Sequence, residues 1–269
     1  MIQTTGAAAL HIDVALDYRM AEPTPLLLAI EALSDDEQQV VSEELTVNGR
    51  ALPPVVAVHD GSARYRWIDA PAGDVAIRYR ADVSVSRVQS PLFGLPLTLL
   101  SQLPTDVAPW LFASRHCDPG QFARILSDDM NLPLGWVADG STVKLIRDWI
   151  RDHIAYQPVS DSDTSATHTF VTRAGVCRDF AHLMIALARA AGVPARFVSC
   201  YAWQLDPPDF HAVAELWMDG RWHLVDATGM APEASLIRIA RTADAVDASF
   251  LTSFGAVEMI DQRVSVYAD

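Results

Sequence analysis

Lysine is almost missing from this 269-residue sequence: Lys144 stands alone, and arginine supplies the other basic side chains. Basic residues number 20 against 34 acidic ones, a formal net charge of −14. Phosphate backbones bind basic surfaces, so this balance argues against a nucleic-acid partner and, in the same way, against an anionic membrane surface. Cysteine is also scarce. Cys117, Cys177 and Cys200 are odd in number and form no C-x-x-C pair, which argues against a disulfide framework, a zinc ribbon or a thioredoxin-type couple. Reduced thiols fit a cytoplasmic location. The opening residues, MIQTTGAAALHIDVAL, lack the positive segment of a signal peptide. There is no run of about 18 apolar residues to span a bilayer. A D-x-D-x-D-G calcium loop is absent too, and no metal or organic cofactor is expected.

Half the residues are hydrophobic, enough for a sizeable core without cross-links. Residues 8–88 read mainly as strands, with good alternation over residues 75–85 and turns at Asn48-Gly49, Asp60-Gly61 and Ala72-Gly73. Residues 1–88 are therefore expected to form an N-terminal β-sandwich domain. Residues 89–120 form a connecting segment broken up by Pro91, Pro96, Pro104, Pro109 and Pro119. A core over residues 121–269 follows. Within it, Val143, Ile146, Trp149 and Ile150 predict a one-faced helix over residues 142–153. A polar loop is expected over residues 160–169, rich in Ser, Asp and Thr and placed to edge a cleft.

Residues 173–194 read RAGVCRDFAHLMIALARAAGVP. Phe180, Leu183, Met184, Leu187, Ala188 and Ala191 form a buried helical stripe, which Gly192 and Pro194 end. Cys177 falls in the first turn, where unpaired N–H groups and the helix dipole favour a thiolate. A cysteine there is often only a small hydrophobe, so its partners decide the matter. Residues 211–228, HAVAELWMDGRWHLVDAT, carry two alternating runs around Asp219-Gly220, a hairpin signal. A two-residue turn sets Met218 opposite Arg221 and Val213 opposite Asp226. His211 and Asp226 then share a face as diagonal neighbours, roughly 7–8 Å apart at Cα and within reach of a hydrogen bond. His223 points to the other face. His182 lies about 140° round the helix from Cys177. Neither is placed to join a thiol to a carboxylate.

The segment from Gly175 to His182, then Phe210-His211-Ala212, then Trp222 with Asp226-Ala227-Thr228, resembles bacterial transglutaminase-like proteins described as cysteine proteases. Residues 114–118 (SRHCD), residues 242–255 (TADAVDASFLTSFG) and, more loosely, residues 18–25 extend the likeness. The resemblance implies an α+β fold, with a papain-like core in which a helix carrying cysteine packs on an antiparallel sheet, preceded by a β-sandwich. It implies Cys177, His211 and Asp226 as a catalytic triad acting on a peptide or protein substrate through a thioester, with hydrolysis favoured over transamidation. The Cys177 N–H is the natural oxyanion donor, and Tyr156 or Gln157 is the expected second one. Two other readings stay open: a silent module that binds a protein in its cleft, and a thiol sensor.

Overall fold

Alternation at period two builds the N-terminal half of the chain. The computed structural model describes residues 3–4, 8–58, 61–89, 91–96, 98–130, 132, 139–157 and 163–268. Strand β2 (Ala8–Met20) buries Leu10, Ile12, Val14, Leu16, Tyr18 and Met20. Strand β7 (Gly73–Val85) buries Val75, Ile77, Tyr79, Ala81, Val83 and Val85 in the same way. Side chains two apart share a face, so each strand offers one apolar side to the core. With β4 (Gln38–Val47), β5 (Arg50–Leu52) and the C-terminal β16 (Val257–Ala268) they form an antiparallel five-stranded sheet in the order β16-β2-β7-β4-β5. Asn48 and Gly49, at φ 48° and 75°, make the β4–β5 turn. Of the expected Asp60-Gly61 turn, Asp60 lies outside the described residues. A three-stranded sheet of β15 (Leu251–Ser253), β3 (Thr24–Leu28) and β6 (Arg66–Ala70) packs on the first through Leu26, Leu28 and Ile68. A short β1 (Gln3–Thr4) pairs with β8 (Val88–Gln89).

Residues 100–102, 108–111 and 119–121 of the connecting segment form single 3-10 turns, as its prolines dictate. The helices come next: α1 (Ala123–Asp128), α2 (Gly140–His153), α3 (Ala166–Thr172) and α4 (Cys177–Ala190). Asp139 caps α2 by accepting from the Thr142 N–H at 3.0 Å. The expected polar loop is shorter than its composition suggests. Residues 160–162 lie outside the described residues, and Ser165 caps α3 by accepting from the His168 N–H, so residues 166–169 are helical. Hydroxyl-rich sequence favours caps as much as loops, which explains the difference. Helix α4 is buried almost all round, from Asp179 to Arg189, rather than along one stripe. It is the central helix of the fold, packed between the other helices and an antiparallel four-stranded sheet. That sheet runs β13 (Arg221–Val225), β12 (His211–Met218), β11 (Ala195–Ala202), β14 (Leu236–Thr242). Two short parallel strands, β9 (Ala155–Tyr156) and β10 (Ala174–Gly175), lead into α4.

The two halves share their interior. Tyr201, Ile237 and Ile239, from the back of the four-stranded sheet, sit in one cluster with the apolar faces of β2 and β7. The Tyr201 hydroxyl donates to the Ile30 carbonyl at 2.6 Å. The chain also crosses back. β15 pairs with β3 and β16 pairs with β2, so residues 251–268 of the expected 121–269 core lie on the N-terminal sheets. Most of β16 is exposed or half-buried, so its burial pattern carries little local signal, and its partner is more than 230 residues away.

Buried charge locks the halves together. Glu215, with no exposed surface, takes Arg196 Nε on one oxygen at 2.8 Å and Arg238 Nε on the other. Arg238 continues to Glu37 at 2.6 Å, and Arg241 reaches Asp35. Burial alone would raise the Glu215 pKa, but Arg238 and Arg196 hold it below the usual carboxylate range. Removing one partner of such a network strands the rest without water. Glu215→Ala is therefore expected to destabilise the fold by about 3–5 kcal/mol. Asp148→Ala, which breaks the surface Lys144–Asp148 pair, should cost under about 1 kcal/mol. Urea midpoints of the two variants check the contrast.

Candidate active site

The start of α4 is fixed by a reciprocal bond. The Asp179 carboxylate accepts from the Val176 N–H at 2.9 Å, and the Asp179 N–H donates to the Val176 carbonyl at 2.9 Å. Valine has no side-chain acceptor, so this is half of a capping box. Gly175 makes room for it: a Cβ there would stand 2.6 Å from the Asp179 Cβ. Asp179 thus holds the backbone that presents Cys177 and makes no claim on the thiol. Cys177 is the first residue of the helix and is half-buried, whereas Cys117 and Cys200 are buried. Burial pushes the Cys117 thiol up to about 12 and the Cys200 thiol well above its ordinary value.

The hairpin that carries the partners has the expected register, with Met218 opposite Arg221 and Ala214 opposite Val225. Asp219 and Gly220, at φ 52° and 72°, make its two-residue turn. His211 begins β12, and Asp226 follows the last residue of β13. His211 Nε2 meets Asp226 Oδ2 at 3.1 Å, with both side chains buried. The imidazole also faces the Cys177 thiol, and the sulfur favours its charged form. With Nε2 turned to the carboxylate, Nδ1 is the nitrogen left for sulfur. Burial by itself would lower the His211 pKa. The Asp226 bond and the Cys177 sulfur outweigh it and push the imidazole up to about 10. Burial would raise the Asp226 pKa, and the His211 bond leads the contributions that bring it below its ordinary value.

Asp226 does two jobs at once. Oδ1 accepts from the Thr228 N–H at 2.8 Å and the Thr228 hydroxyl at 2.6 Å, and Oδ2 also accepts from the Ala231 N–H at 3.1 Å. The turn after β13 thereby locks the carboxylate, and the carboxylate locks the imidazole. Arg151 braces this turn from α2 by donating to the Asp226 and Ala227 carbonyls while packing on Gly229. Nothing local in the sequence marks Arg151, because its target is some 75 residues away. The D-x-T spacing of Asp226 and Thr228 was a readable turn signal.

The two candidate oxyanion residues part company. The Tyr156 hydroxyl lies against the Cys177 backbone and thiol, and the ring packs 6.0 Å from Phe180. Gln157 is exposed and gives its own N–H to the Gly175 carbonyl at 2.9 Å. Among the described residues no hydrogen bond joins its side chain to the site. His182 and His223 are held elsewhere by backbone groups. His182 Nδ1 meets the Thr164 carbonyl at 2.6 Å, and Nε2 accepts from the Ala245 N–H, with burial bringing its pKa down to about 4. His223 Nε2 bonds the Met218 carbonyl at 3.1 Å. Among the described residues no cluster of His, Cys, Asp and Glu is arranged to hold a metal ion, and no helix is long and apolar enough to cross a membrane.

A known protein shares this architecture. The profile of the transglutaminase-like superfamily matches residues 135–227, which hold Cys177, His211 and Asp226. The chain is similar over its whole length to a candidate cysteine protease from Cytophaga hutchinsonii, at 31% identity and TM-score 0.91, covering 93% of that chain. Similarity to the periplasmic domain of TgpA from Pseudomonas aeruginosa is lower, at 21% identity and TM-score 0.43, over 84% of this chain and 72% of that one. No curated protein sequence gives a significant match. A relative this alike from end to end, with the profile match around the thiol and its partners, places the chain in the transglutaminase-like superfamily.

Proposed function

We propose that this chain is a thiol acyl-transfer enzyme in which Cys177 is the nucleophile, His211 the base and Asp226 the residue that orients the base. The observation that carries the reading is the buried chain of contacts from the Asp226 carboxylate through the His211 imidazole to a thiol at a helix start. A histidine held protonated at neutral pH beside that thiol makes a thiolate–imidazolium pair. The thiolate attacks the amide carbonyl of a peptide or a glutamine-type side chain. The developing oxyanion turns to the Cys177 N–H, where the Tyr156 hydroxyl now sits. His211 gives its proton to the departing amine or ammonia and leaves a thioester. Water, with His211 as base, releases the acid and restores the thiol. The active protein needs no cofactor in this scheme. The three free thiols are in keeping with a cytoplasmic setting, which belongs to the same proposal.

Mass-spectrometric screening against a peptide library tests the assignment. Cys177→Ala should remove activity by about 10⁵-fold or more, and Asp226→Asn by roughly 10³–10⁴-fold with the fold intact. Full activity in Cys177→Ala would refute the nucleophile.

The pH profile follows from the His211 shift. A raised pKa keeps the imidazolium until the pH passes the folded value, so the alkaline limb of the rate should fall near pH 10. In Asp226→Asn that limb should move to lower pH, because the largest interaction favouring the imidazolium is gone. A limb that stays in place would show that Asp226 does not tune the histidine.

Hydrolysis is proposed to dominate over transamidation. A glutamine-containing peptide incubated with an amine donor should yield mostly the acid. Predominant amine incorporation, read by product mass, would reverse that order.

A further inference from the structure

Arg151, near the end of α2, is an exposed arginine whose hydrogen bonds go to main chain. Nη2 donates to the Asp226 carbonyl at 2.5 Å and Nε to the Ala227 carbonyl at 3.4 Å. Among the described residues no carboxylate pairs with it. A guanidinium fork matches a carboxylate best, so an arginine held on two successive carbonyls is an unusual use of the side chain. A glycine makes it possible. A Cβ on Gly229 would stand 3.1, 3.2 and 3.3 Å from Cζ, Nε and Nη2 of Arg151. Nearly equal distances to three atoms of one plane mean that the guanidinium lies flat over the vacant Cβ position. Gly229 also has φ 72°, so a side chain there would be strained as well as crowded.

This contact joins the two parts of the site. Ile150, next to Arg151, has no exposed surface, and α2 packs against α4, whose first residue is Cys177. The turn that Arg151 holds carries the carboxylate that meets His211. Thr228 and Ala231 fix Oδ1 and Oδ2 from inside the turn. Those bonds run within residues 226–231, so they set the shape of the turn and not its place against the helices. Arg151 supplies that reference from α2. The titratable groups around the Asp226–His211 pair are Cys177 on α4, Cys200 on β11 and Glu233, whose Oε1 accepts from the Asp226 N–H at 3.4 Å. Arg151 is the cation on the carbonyl side of the turn.

We propose that Arg151 is a positioning residue of the reaction: from the helix packed on the cysteine helix, it sets the Asp226 turn where the carboxylate meets His211. The proposal rests on the reading of Asp226 as the group that orients the base. Arg151 acts through that carboxylate and touches neither thiol nor substrate. Without the guanidinium, the two carbonyls lose their anchor on α2 and the turn can shift. The Asp226–His211 bond then weakens, and the imidazole loses part of its preference for the charged form.

The pH at which the His211 imidazolium becomes neutral tests this without a known substrate. It is followed by nitrogen-15 NMR of the full-length protein, and loss of the signal in His211→Gln identifies the ring. Arg151→Met, close in length but without donors, should lower that pH by about one unit. Arg151→Lys, which keeps the charge and one donor group, should lower it less. Gly229→Ala, which drives a Cβ into the guanidinium, should shift it in the same direction as Arg151→Met. Asp226→Asn should lower it most. Asp148→Ala, on the same helix, should leave it unchanged. A merely structural arginine would lower the melting temperature of Arg151→Met and leave the titration of the folded protein as in wild type. That result, with Asp226→Asn shifted, overturns the positioning role and leaves the triad reading in place. A titration unmoved in Asp226→Asn as well overturns both. If Arg151→Met does not fold, Arg151→Lys and Gly229→Ala decide: a shift in both supports the role, and a titration unmoved in either overturns it.

Discussion

The Asp226 carboxylate accepts from His211, from the Thr228 N–H and hydroxyl and from the Ala231 N–H, and it has no exposed surface. A buried carboxylate is costly unless its lone pairs are met, and these donors meet them. Its fixed direction then sets everything downstream. It claims Nε2 of His211, which leaves Nδ1 for the thiol, and it favours the imidazolium. The group that ties down the turn after β13 and the group that orients the His211 imidazole are the same side chain. A substitution that spares the turn but removes the charge therefore separates structure from chemistry.

A frame of buried charge and shared apolar surface stands behind this bond. Glu215 lies on the strand that His211 begins, and through Arg238 it ties that strand to Glu37 in the N-terminal half. Tyr201 and Ile237 bury their side chains against β2 and β7 from the same sheet. The N-terminal layers thus support the four-stranded sheet, and β16 joins the loop before His211 through the Gln262–Asp209 bond. Support of this kind keeps a site within the fraction of an ångström that catalysis needs.

Much of the local structure was legible. Alternation gave β2 and β7, Asn48-Gly49 and Asp219-Gly220 gave the turns, and Gly192 at φ 82° closes α4 as its position suggested. These signals are local: a period, a positive φ, a cap. The hairpin register followed from the turn length alone, and it put His211 and Asp226 on one face. Less legible were the all-round burial of α4, the helical residues of the hydroxyl-rich segment before it, and the return of residues 251–268 to the first sheets. Each of these depends on a neighbour distant in sequence, which no period or cap records.

The sequence by itself determined which residues sit at a helix start, which share a strand face and how a two-residue turn aligns them, because those relations run through the backbone over a few residues. Only the tertiary structure decided that the helix start and the hairpin meet, that Arg151 braces the Asp226 turn, that Tyr156 rather than Gln157 reaches the thiol, and that a C-terminal glutamine holds Asp209. Contacts of that kind arise from packing between segments far apart in the chain. Their geometry is set by how the α4 helix, the four-stranded sheet and the N-terminal layers fill one interior together.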